Sequence, residues 1–315
     1  MSEPAAPDAS SADTPPSGEI PQQPTALTVL RLLRPKQWTK NALVFAALVF
    51  AGRLLEPQAV LLALLAFSSF CAAASSVYII NDLLDVDRDR LHPEKRKRPI
   101  ASGAIRAEFA FAIAAVLTAV ALAIAFFIGL EFGVAVIFYM AMSHFYSLSG
   151  KTIAILDVML IAAGFVIRAV GGALAIDVPS SNWFILCTMF LAVFIALCKR
   201  KAELLALSDG AGQTRPVLRA YTVESLNAFI ATSMGGVLIS YALYVLDTRY
   251  TPTMSFQVLT LTLPFVMFGV FRYYLLVETA QAGERAEEVL LRDRPIQLSV
   301  LGFALVAISA IYLGN

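Results

Sequence analysis

Long apolar segments recur along the whole 315-residue chain, and they constrain its fold more than any other feature. A helix of about 20 apolar residues crosses the hydrocarbon core of a bilayer. The segments are continuously apolar and do not alternate with period two, which excludes a β-barrel. The sequence therefore predicts an all-α, polytopic membrane protein with nine transmembrane helices. The predicted spans are approximately 41–56, 59–82, 107–129, 132–149, 153–176, 182–200, 222–246, 255–277 and 296–313.

The composition agrees with a membrane protein, except at the N-terminus. Hydrophobic residues make up 58% of the chain and charged residues 15%, whereas a soluble domain carries about 25% charged residues. Residues 1–24 are rich in Pro, Ser and Ala and contain no aromatic residue. Such a segment buries too little apolar surface to offset the cost of ordering. We predict that residues 1–24 form a disordered tail and that residues 25–315 form a single transmembrane domain.

The distribution of positive charge predicts the orientation. Twenty-one of the 24 lysine and arginine residues precede the first span or lie in, or at the ends of, alternate loops. Basic residues accumulate on the cytoplasmic side of membrane proteins. We therefore expect a multi-pass protein of the cell (plasma) membrane, with its N-terminus and these loops in the cytoplasm.

A dense cluster of charge, NDLLDVDRDRLHPEKRKR, follows the second apolar run at residues 81–98. Asn81, Asp85 and Asp89 are spaced i, i+4, i+8, which places them on one helix stripe with Asp82 beside it. Stacked carboxylates at a helix C-terminus repel one another and the helix dipole, so a cation must compensate them. Mg²⁺ accepts oxygen ligands and bridges carboxylates to phosphates. We predict a magnesium–diphosphate site, the alternative being a solvated charged loop.

The same residues resemble a known family. The pattern Asn81-Asp82-x-x-Asp85-x-x-x-Asp89 is similar to the first aspartate-rich motif of the UbiA-type intramembrane prenyltransferases. RPKQWTKN (34–41) and HPEKRKRPIASG (92–103) resemble the segments that flank that motif. The resemblance implies a nine-helix bundle around a cytoplasm-facing cavity that binds a magnesium diphosphate.

The chain departs from the family in the loop after the sixth span. Most members carry a second D-x₃-D motif there, whereas residues 198–222 read CKRKAELLALSDGAGQTRPVLRAYT. The K-R-x-A-E-L pattern and LLRDR (290–294) resemble one branch, the actinobacterial decaprenyl-phosphate phosphoribosyltransferases. This resemblance implies transfer of 5-phosphoribose from 5-phosphoribosyl diphosphate to decaprenyl (polyprenyl) phosphate. The reaction releases diphosphate and supplies the lipid donor for cell-wall arabinan.

The phosphoribosyl reaction assigns roles to the candidate residues. Asn81, Asp82, Asp85 and Asp89 are the expected magnesium ligands. The catalytic candidates are Asp85, Asp89, Arg98 and Asp157. The substrate-binding candidates are Lys36, Lys40, Lys95, Tyr146, Lys151, Arg168, Lys199, Arg200 and Glu203. Lys36 and Lys40 are expected to hold the lipid phosphate, and Glu203 to orient a neighbouring cation or bind a ribose hydroxyl.

Two charges inside the fifth span are further candidates, since charges at membrane depth face a cavity or a partner. We expect Asp157 to line the cavity, together with Tyr146 and Lys151 at its mouth. Arg168 lines the cavity or pairs with a polar neighbour to fix helix packing. Gly171 and Gly172 are expected to permit close helix approach.

Two other functions stay open on the sequence alone. One is an ordinary prenyltransferase that moves a prenyl group from its diphosphate to an aromatic or other acceptor. The other is a membrane transporter, although neither broken helices nor an internal repeat is evident. No nucleic-acid partner is expected, and association of copies of the chain as a homo-oligomer stays open.

Overall fold

The computed structural model describes residues 25–208, 216–247, 256–279 and 293–312, and every regular element in these ranges is helical. The predicted tail, residues 1–24, lies outside the described residues. The α-helices are α1 (Ala26–Leu33), α2 (Phe45–Phe50), α3 (Pro57–Leu84), α4 (Val86–Leu91), α5 (Ala107–Ile128), α6 (Leu130–Leu148), α7 (Leu156–Ala175), α8 (Asn182–Ser208), α9 (Val223–Leu246), α10 (Phe256–Thr260), α11 (Leu263–Glu278) and α12 (Arg294–Tyr312). Short 3₁₀ helices span Pro35–Val44, Lys95–Lys97, Gly150–Thr152 and Pro216–Ala220.

Local sequence signals explain where the helices that carry the site begin and end. α3 begins with a proline, whose fixed φ suits the first helical position, and it ends at Leu84. α9 begins with a reciprocal cap between Thr222 and Ser225. The backbone N–H of each residue donates to the hydroxyl of the other, both at 3.1 Å. Such caps satisfy backbone donors that the first helical turn leaves free.

Within the described ranges, six helical segments are long and apolar enough to cross a membrane, so the chain is a multi-pass membrane protein. They are α3, α5, α7, Asn182–Leu205 of α8, α9, and the run Val258–Glu278 that contains α11. α5 has the highest mean hydropathy, 2.8, and only 17% of its span is buried. Its surface therefore faces outward, as expected of a helix in contact with lipid.

The other three predicted spans are built differently. Residues 41–56 form the end of the 3₁₀ helix Pro35–Val44, the short α2 and a turn, so no single long helix crosses there. The predicted spans 132–149 and 296–313 overlap α6 and α12, which lie outside the set of six by length and composition, and residue 313 lies outside the described residues. The nine-helix count stays a prediction.

The short helices around residue 44 pack closely against α7. A Cβ atom at Gly172 would lie 2.1 Å from the Val44 carbonyl oxygen, and one at Gly171 would lie 2.9 Å from the Phe70 ring. Only glycine allows the backbone of this segment to approach α7 so closely. The prediction that Gly171 and Gly172 permit close approach is confirmed.

The helices form two packed groups on either side of α7. The N-terminal group contains α3, α5 and α6, and its core includes Phe70 and Phe132, with ring centroids 5.6 Å apart. In this group the Ser69 hydroxyl donates to the Ala121 carbonyl across α3 and α5 at 2.8 Å. The C-terminal group contains α8, α9 and α11, with Phe194 and Tyr273 in its core. α7 contacts α6 on one side and α8 on the other, so its ends can join residues of both groups.

Candidate active site

The aspartate motif lies where α3 ends and the short α4 begins. Asp85, at the junction, has φ −95° and ψ 7° and belongs to neither helix. Its N–H donates to the Asn81 carbonyl at 3.0 Å, and the Asp89 N–H donates to the Asp85 carbonyl at 2.9 Å. These bonds keep Asn81, Asp85 and Asp89 one turn apart through the junction. Their surroundings differ, because Asp89 is buried and Asp85 is partly exposed.

Asp82 lies between two arginines that come from different parts of the chain. One Nη of Arg34 donates to both carboxylate oxygens at 2.6 Å. Arg98 Nη1 donates to Asp82 Oδ1 at 3.0 Å and to Asp89 Oδ2 at 2.5 Å. The Asp82 side chain is only 4% exposed. Asp82 therefore holds both Arg34 and Arg98 beside the motif.

Asp85 has the more open surroundings and meets a lysine from the other side of the bundle. Lys151, in the 3₁₀ helix between α6 and α7, places Nζ 3.3 Å from Asp85 Oδ2. The two side chains are 22% and 28% exposed. Arg88 approaches Asp85 only to 4.0 Å and is 85% exposed, so this pair contributes little. Asp85 is thus the motif carboxylate with room for a further ligand.

The motif fits magnesium by the chemistry of its donors. Among the described residues, no three His, Cys, Asp or Glu side chains converge on a metal site of their own. Mg²⁺ does not need such a cage, because it commonly uses one or two carboxylates, water and substrate phosphates. Asp85 and Asp89 supply carboxylates, and Asn81 supplies a carboxamide oxygen beside them. Asp82 is instead occupied by two guanidinium groups.

A second charged cluster joins the start of α7 to the end of α8. Asp157 is fully buried and accepts from Arg200 Nε at 2.7 Å. Arg200 Nη1 also donates to Glu203 Oε2 at 2.7 Å, so one guanidinium bridges two carboxylates. The Arg200 side chain is 2% exposed. Buried charge of this kind requires pairing, and here the pairing ties α7 to α8.

Tyr221, which precedes α9, completes the second cluster. Its hydroxyl donates to Asp157 Oδ1 at 3.0 Å and accepts from the Ile155 N–H at 2.6 Å. Burial raises the pKa of Tyr221 to about 12, and the neighbouring carboxylate adds to the rise. The phenol is therefore protonated near neutral pH and serves as a fixed donor.

Arg168 lies in the interior of the bundle among neutral groups. Its Nε donates to Asn41 Oδ1 at 2.7 Å, Nη1 to the Gly164 carbonyl at 2.7 Å, and Nη2 to the Tyr139 hydroxyl at 2.8 Å. The guanidinium also stacks 4.6 Å from the Tyr139 ring centroid. These contacts are those of a residue that fixes helix packing, and substrate binding by Arg168 stays a prediction.

The remaining candidates surround these clusters with different degrees of exposure. Lys36 and Lys95 are exposed, whereas Lys40, Tyr146 and Lys199 are half-buried. Tyr146 lies within electrostatic range of Arg200. The segment 209–215, which contains Asp209, lies outside the described residues, as do residues 290–292 of the LLRDR element.

Several residues at the site were not assigned roles from the sequence. Arg34 counted only toward the charge asymmetry, and Tyr221 carried no signal. Lys201 is buried, bonded to Glu278 and to Asn227 Oδ1, the latter at 2.6 Å, and stacked near Tyr274. The unusual burial of a lysine is visible only once α8, α9 and α11 are assembled.

Comparison with known proteins identifies relatives over nearly the whole chain. The model of the UbiA prenyltransferase family matches residues 42–286. The chain is 34% identical over 296 residues to a protein of Mycolicibacterium smegmatis named decaprenyl-phosphate phosphoribosyltransferase, covering 90% of this chain and 92% of that protein. A protein of the same name from Mycobacterium tuberculosis is 33% identical over 301 residues, covering 94% and 98% of the two chains.

Solved structures share the fold. A UbiA homologue from Archaeoglobus fulgidus, determined with GPP and Mg²⁺ bound, superposes with a TM-score of 0.66 at 21% identity, over 90% of this chain and 99% of that one. A UbiA homologue from Aeropyrum pernix gives a TM-score of 0.61 at 16% identity, over 88% and 98%. With the matched family model and relatives above 30% identity, these likenesses establish that the chain belongs to the UbiA prenyltransferase family of transferases.

Proposed function

We propose that this protein transfers 5-phosphoribose from 5-phosphoribosyl diphosphate to decaprenyl phosphate or a similar polyprenyl phosphate, with release of diphosphate. The observation that carries the proposal is the identity of 33–34%, over at least 90% of both chains, to two proteins named decaprenyl-phosphate phosphoribosyltransferase. The product would be the lipid that donates pentose to cell-wall arabinan. The proposal includes a nine-span domain, residues 25–315, in the plasma membrane with its active site on the cytoplasmic side.

The charge balance of the second cluster supports a phosphoribosyl donor. Asp157 and Glu203 are both bound to the Arg200 guanidinium. A carboxylate pair neutralised in this way is poorly suited to a second metal ion, which an ordinary prenyl diphosphate site would use. Lys199, which is half-buried beside this cluster at the end of α8, suits a further phosphate, and the donor's 5-phosphate is such a group.

The reaction exchanges one carbon–oxygen bond for another. An oxygen of the lipid phosphate bonds to the anomeric carbon of ribose, the bond from that carbon to diphosphate breaks, and its electron pair leaves with the diphosphate. The attacking phosphate is already anionic near neutral pH, so no strong general base is required. The protein must position the two substrates and stabilise the leaving charge.

The aspartate motif is suited to stabilising the charge on the leaving diphosphate. Asn81, Asp85 and Asp89 would hold the magnesium, which would supply positive charge to offset that of the diphosphate. Arg98 and Lys151 already lie against these carboxylates and contact the diphosphate oxygens as it enters. Asp82 acts as a positioning residue, because it holds Arg34 and Arg98 in place.

Positioning of the two substrates is assigned to the surrounding cations. In this scheme Lys36 and Lys40 receive the phosphate of the lipid at the membrane interface, and Lys95 contacts the donor. Asp157 and Tyr221 orient Arg200 from the buried side, so that Arg200, Glu203 and Tyr146 line the ribose end of the cavity.

Transfer of label into a lipid phase tests this function. Purified protein is incubated with magnesium, labelled 5-phosphoribosyl diphosphate and decaprenyl phosphate, and then again with excess chelator. We expect magnesium-dependent movement of label into the organic phase. Product formation only with a prenyl diphosphate and an aromatic acceptor would instead identify an ordinary prenyltransferase. Failure of both reactions would favour a transporter.

A further inference from the structure

The first helix, α1, carries apolar residues on two opposite faces. On the inner face, Leu32 is 1% exposed and belongs to a buried cluster with Ile79 of α3 and Ala110 of α5. The outward face of α1 is exposed and consists of Ala26, Leu27, Leu30 and Arg31. These residues share one side of the helix because they are adjacent or three to four positions apart. The outward face is therefore apolar with a single cation, and Leu27 and Leu30 are 57% and 47% exposed.

The packing of Leu32 places α1 beside the ends of two membrane spans. The candidate span α3 ends at Leu84, and the candidate span α5 begins at Ala107. Ile79 and Ala110 lie inside these spans, by about 8 Å and about 5 Å at the rise of an α-helix. A face that points outward at this depth meets the boundary between lipid head groups and acyl chains. The surroundings of α1 thus identify lipid as what covers its outward face.

The charge of this part of the chain favours anionic lipids. Residues 25–52 contain four basic residues and no acidic residue. Arg31 is exposed on α1 itself, and Lys36 is exposed shortly after it. Basic residues next to a membrane surface are attracted to anionic head groups, and long basic side chains reach the lipid phosphates while their stems stay in apolar surroundings.

The end of α1 is tied to the aspartate motif. The Ser75 hydroxyl of α3 donates to the Leu33 carbonyl at 2.8 Å. Arg34 follows with φ 55° and ψ 57°, a left-handed conformation that is uncommon for residues other than glycine, asparagine and aspartate. Strained residues of this kind persist where the surroundings enforce them. Here one Nη of Arg34 donates to both oxygens of Asp82 at 2.6 Å. A displacement of α1 would therefore pull Arg34 away from Asp82.

We propose that α1 binds the anionic phospholipid surface of the cytoplasmic leaflet through its outward face. Leu27 and Leu30 insert among the upper acyl carbons, and Arg31 contacts lipid phosphates. This attachment holds Arg34 against Asp82, so the lipid surface acts on the aspartate motif. The lipid at α1 is a bulk phospholipid and not the acceptor of the reaction. The inference rests on the proposed function for the cytoplasmic orientation and for the effect on catalysis.

Fluorescence quenching by brominated lipid tests the contact. Leu30→Trp is placed in phosphatidylglycerol nanodiscs with plain or brominated acyl chains, and the signal of the unmodified protein is subtracted. Val116→Trp is the positive control, because Val116 is 61% exposed on the candidate span α5. Glu94→Trp is the negative control, because the Glu94 side chain is 79% exposed in the loop after α4.

We expect bromine to remove about half of the fluorescence added by Leu30→Trp, since interfacial helices bury their apolar face about 5–10 Å deep. Quenching no greater than that of Glu94→Trp overturns the proposal and would leave the outward face for a protein partner. If Leu30→Trp does not fold, Leu27→Trp on the same face provides the measurement.

Hydrogen exchange tests the link to the motif without turnover. The double variant Leu27→Ser/Leu30→Ser removes the apolar part of the outward face, and Val116→Ser is the control on α5. The Gln37 N–H donates to the Arg34 carbonyl at 2.8 Å, so its exchange reports on the segment that follows α1. We expect this amide to exchange about tenfold faster in the double variant, because local opening becomes easier. Unchanged exchange overturns the link between α1 and Asp82.

Activity in defined lipid separates this proposal from the proposed function. Decaprenyl phosphate is held constant while phosphatidylglycerol replaces phosphatidylcholine. We expect kcat/KM for the donor to rise about fivefold in the unmodified protein and less than about twofold in Arg31→Gln, the factor that one cation near an anionic surface contributes. Arg90→Gln, a 57% exposed arginine of α4, should keep the full rise.

Equal lipid dependence in the unmodified protein, Arg31→Gln and Arg90→Gln overturns the anionic contact. A protein that transfers no phosphoribose in any lipid contradicts only the proposed function, and the quenching and exchange results then decide whether α1 binds lipid and holds the motif.

Discussion

The two charged clusters of this protein are built from the same groups but differ in how firmly they are closed. In the second cluster, Asp157 and Arg200 are 0% and 2% exposed and satisfy each other at 2.7 Å. At the aspartate motif, Asp85 and Lys151 are 22% and 28% exposed and meet at 3.3 Å. A pair that water already reaches can exchange partners at low cost, whereas a buried pair cannot. The difference assigns ligand exchange to the motif and positioning to the second cluster.

Removing a charge from the second, buried cluster should have the largest effect, which is a loss of protein stability. Asp157→Asn leaves the Arg200 guanidinium buried with only Glu203 as a charged partner. We expect a loss of about 3 kcal/mol, since breaking a buried ion pair costs that much. The measurement is the apparent unfolding temperature in detergent. Glu108→Gln, an exposed carboxylate on α5, is the control. An unchanged unfolding temperature in Asp157→Asn would show that the cluster is not closed.

A substitution at the aspartate motif should lower activity and change stability little. Asp85→Asn removes a carboxylate that we assign to magnesium and diphosphate. We expect transferase activity to fall about 100-fold, the usual cost of deleting one group that stabilises developing charge. Asp87→Asn is the matched control, because Asp87 is 90% exposed and pairs with the exposed Arg90. Equal activity of the two variants would contradict the assignment.

A conservative change at Arg98 tests whether geometry matters in addition to charge. Arg98 Nη1 donates to both Asp82 and Asp89. A lysine ammonium lacks the rigid planar group that sets this nitrogen between the two carboxylates. We expect Arg98→Lys to lower kcat/KM for the donor about tenfold, since a hydrogen bond to a charged group contributes about 1.5 kcal/mol. Arg96→Lys, on the exposed basic run, should retain full activity. A normal kcat/KM in Arg98→Lys would mean that charge alone suffices.

A pH dependence of stability should originate in Tyr221. Burial raises its pKa to about 12 in the folded protein, while an unfolded chain ionises near pH 10. The unfolded state therefore loses this proton first, and stability declines as the pH rises from about 10 to about 12. Tyr221→Phe lacks this contribution, so its unfolding temperature should fall less over that interval. Parallel curves for the two proteins would argue against a buried, protonated phenol.

The sequence predicted the motif more successfully than its partners. Asn81, Asp85 and Asp89 could be located because an apolar run ends beside them and their spacing follows the helical repeat. The bond between Arg200 and Asp157 could not, since 43 residues and a helix turnaround separate the two. Tyr221 follows a loop with no periodic signal. Pairings of this kind depend on how α7, α8 and α9 pack, which a single sequence does not specify.

The first predicted span is built from two short helices. Residues 41–56 are apolar, and apolarity alone suggested one long helix. The chain instead forms a 3₁₀ helix and the short α2, and the Val44 carbonyl lies where a side chain at residue 172 would be. The glycine pair in the fifth span did indicate a close approach of another segment. Its partner Val44 lies 128 residues before Gly172 and could not be identified from the pattern.

The guanidinium of Arg200 has a consequence for how the protein depends on its environment. A metal ion is a separate solute whose occupancy follows its concentration, whereas Arg200 is synthesised with the chain in fixed stoichiometry. The bridge between α7 and α8 therefore keeps its cation when magnesium is scarce, and a chelator cannot remove it. Depletion of magnesium should stop turnover at the aspartate motif while leaving the bundle assembled and ready for the ion to return.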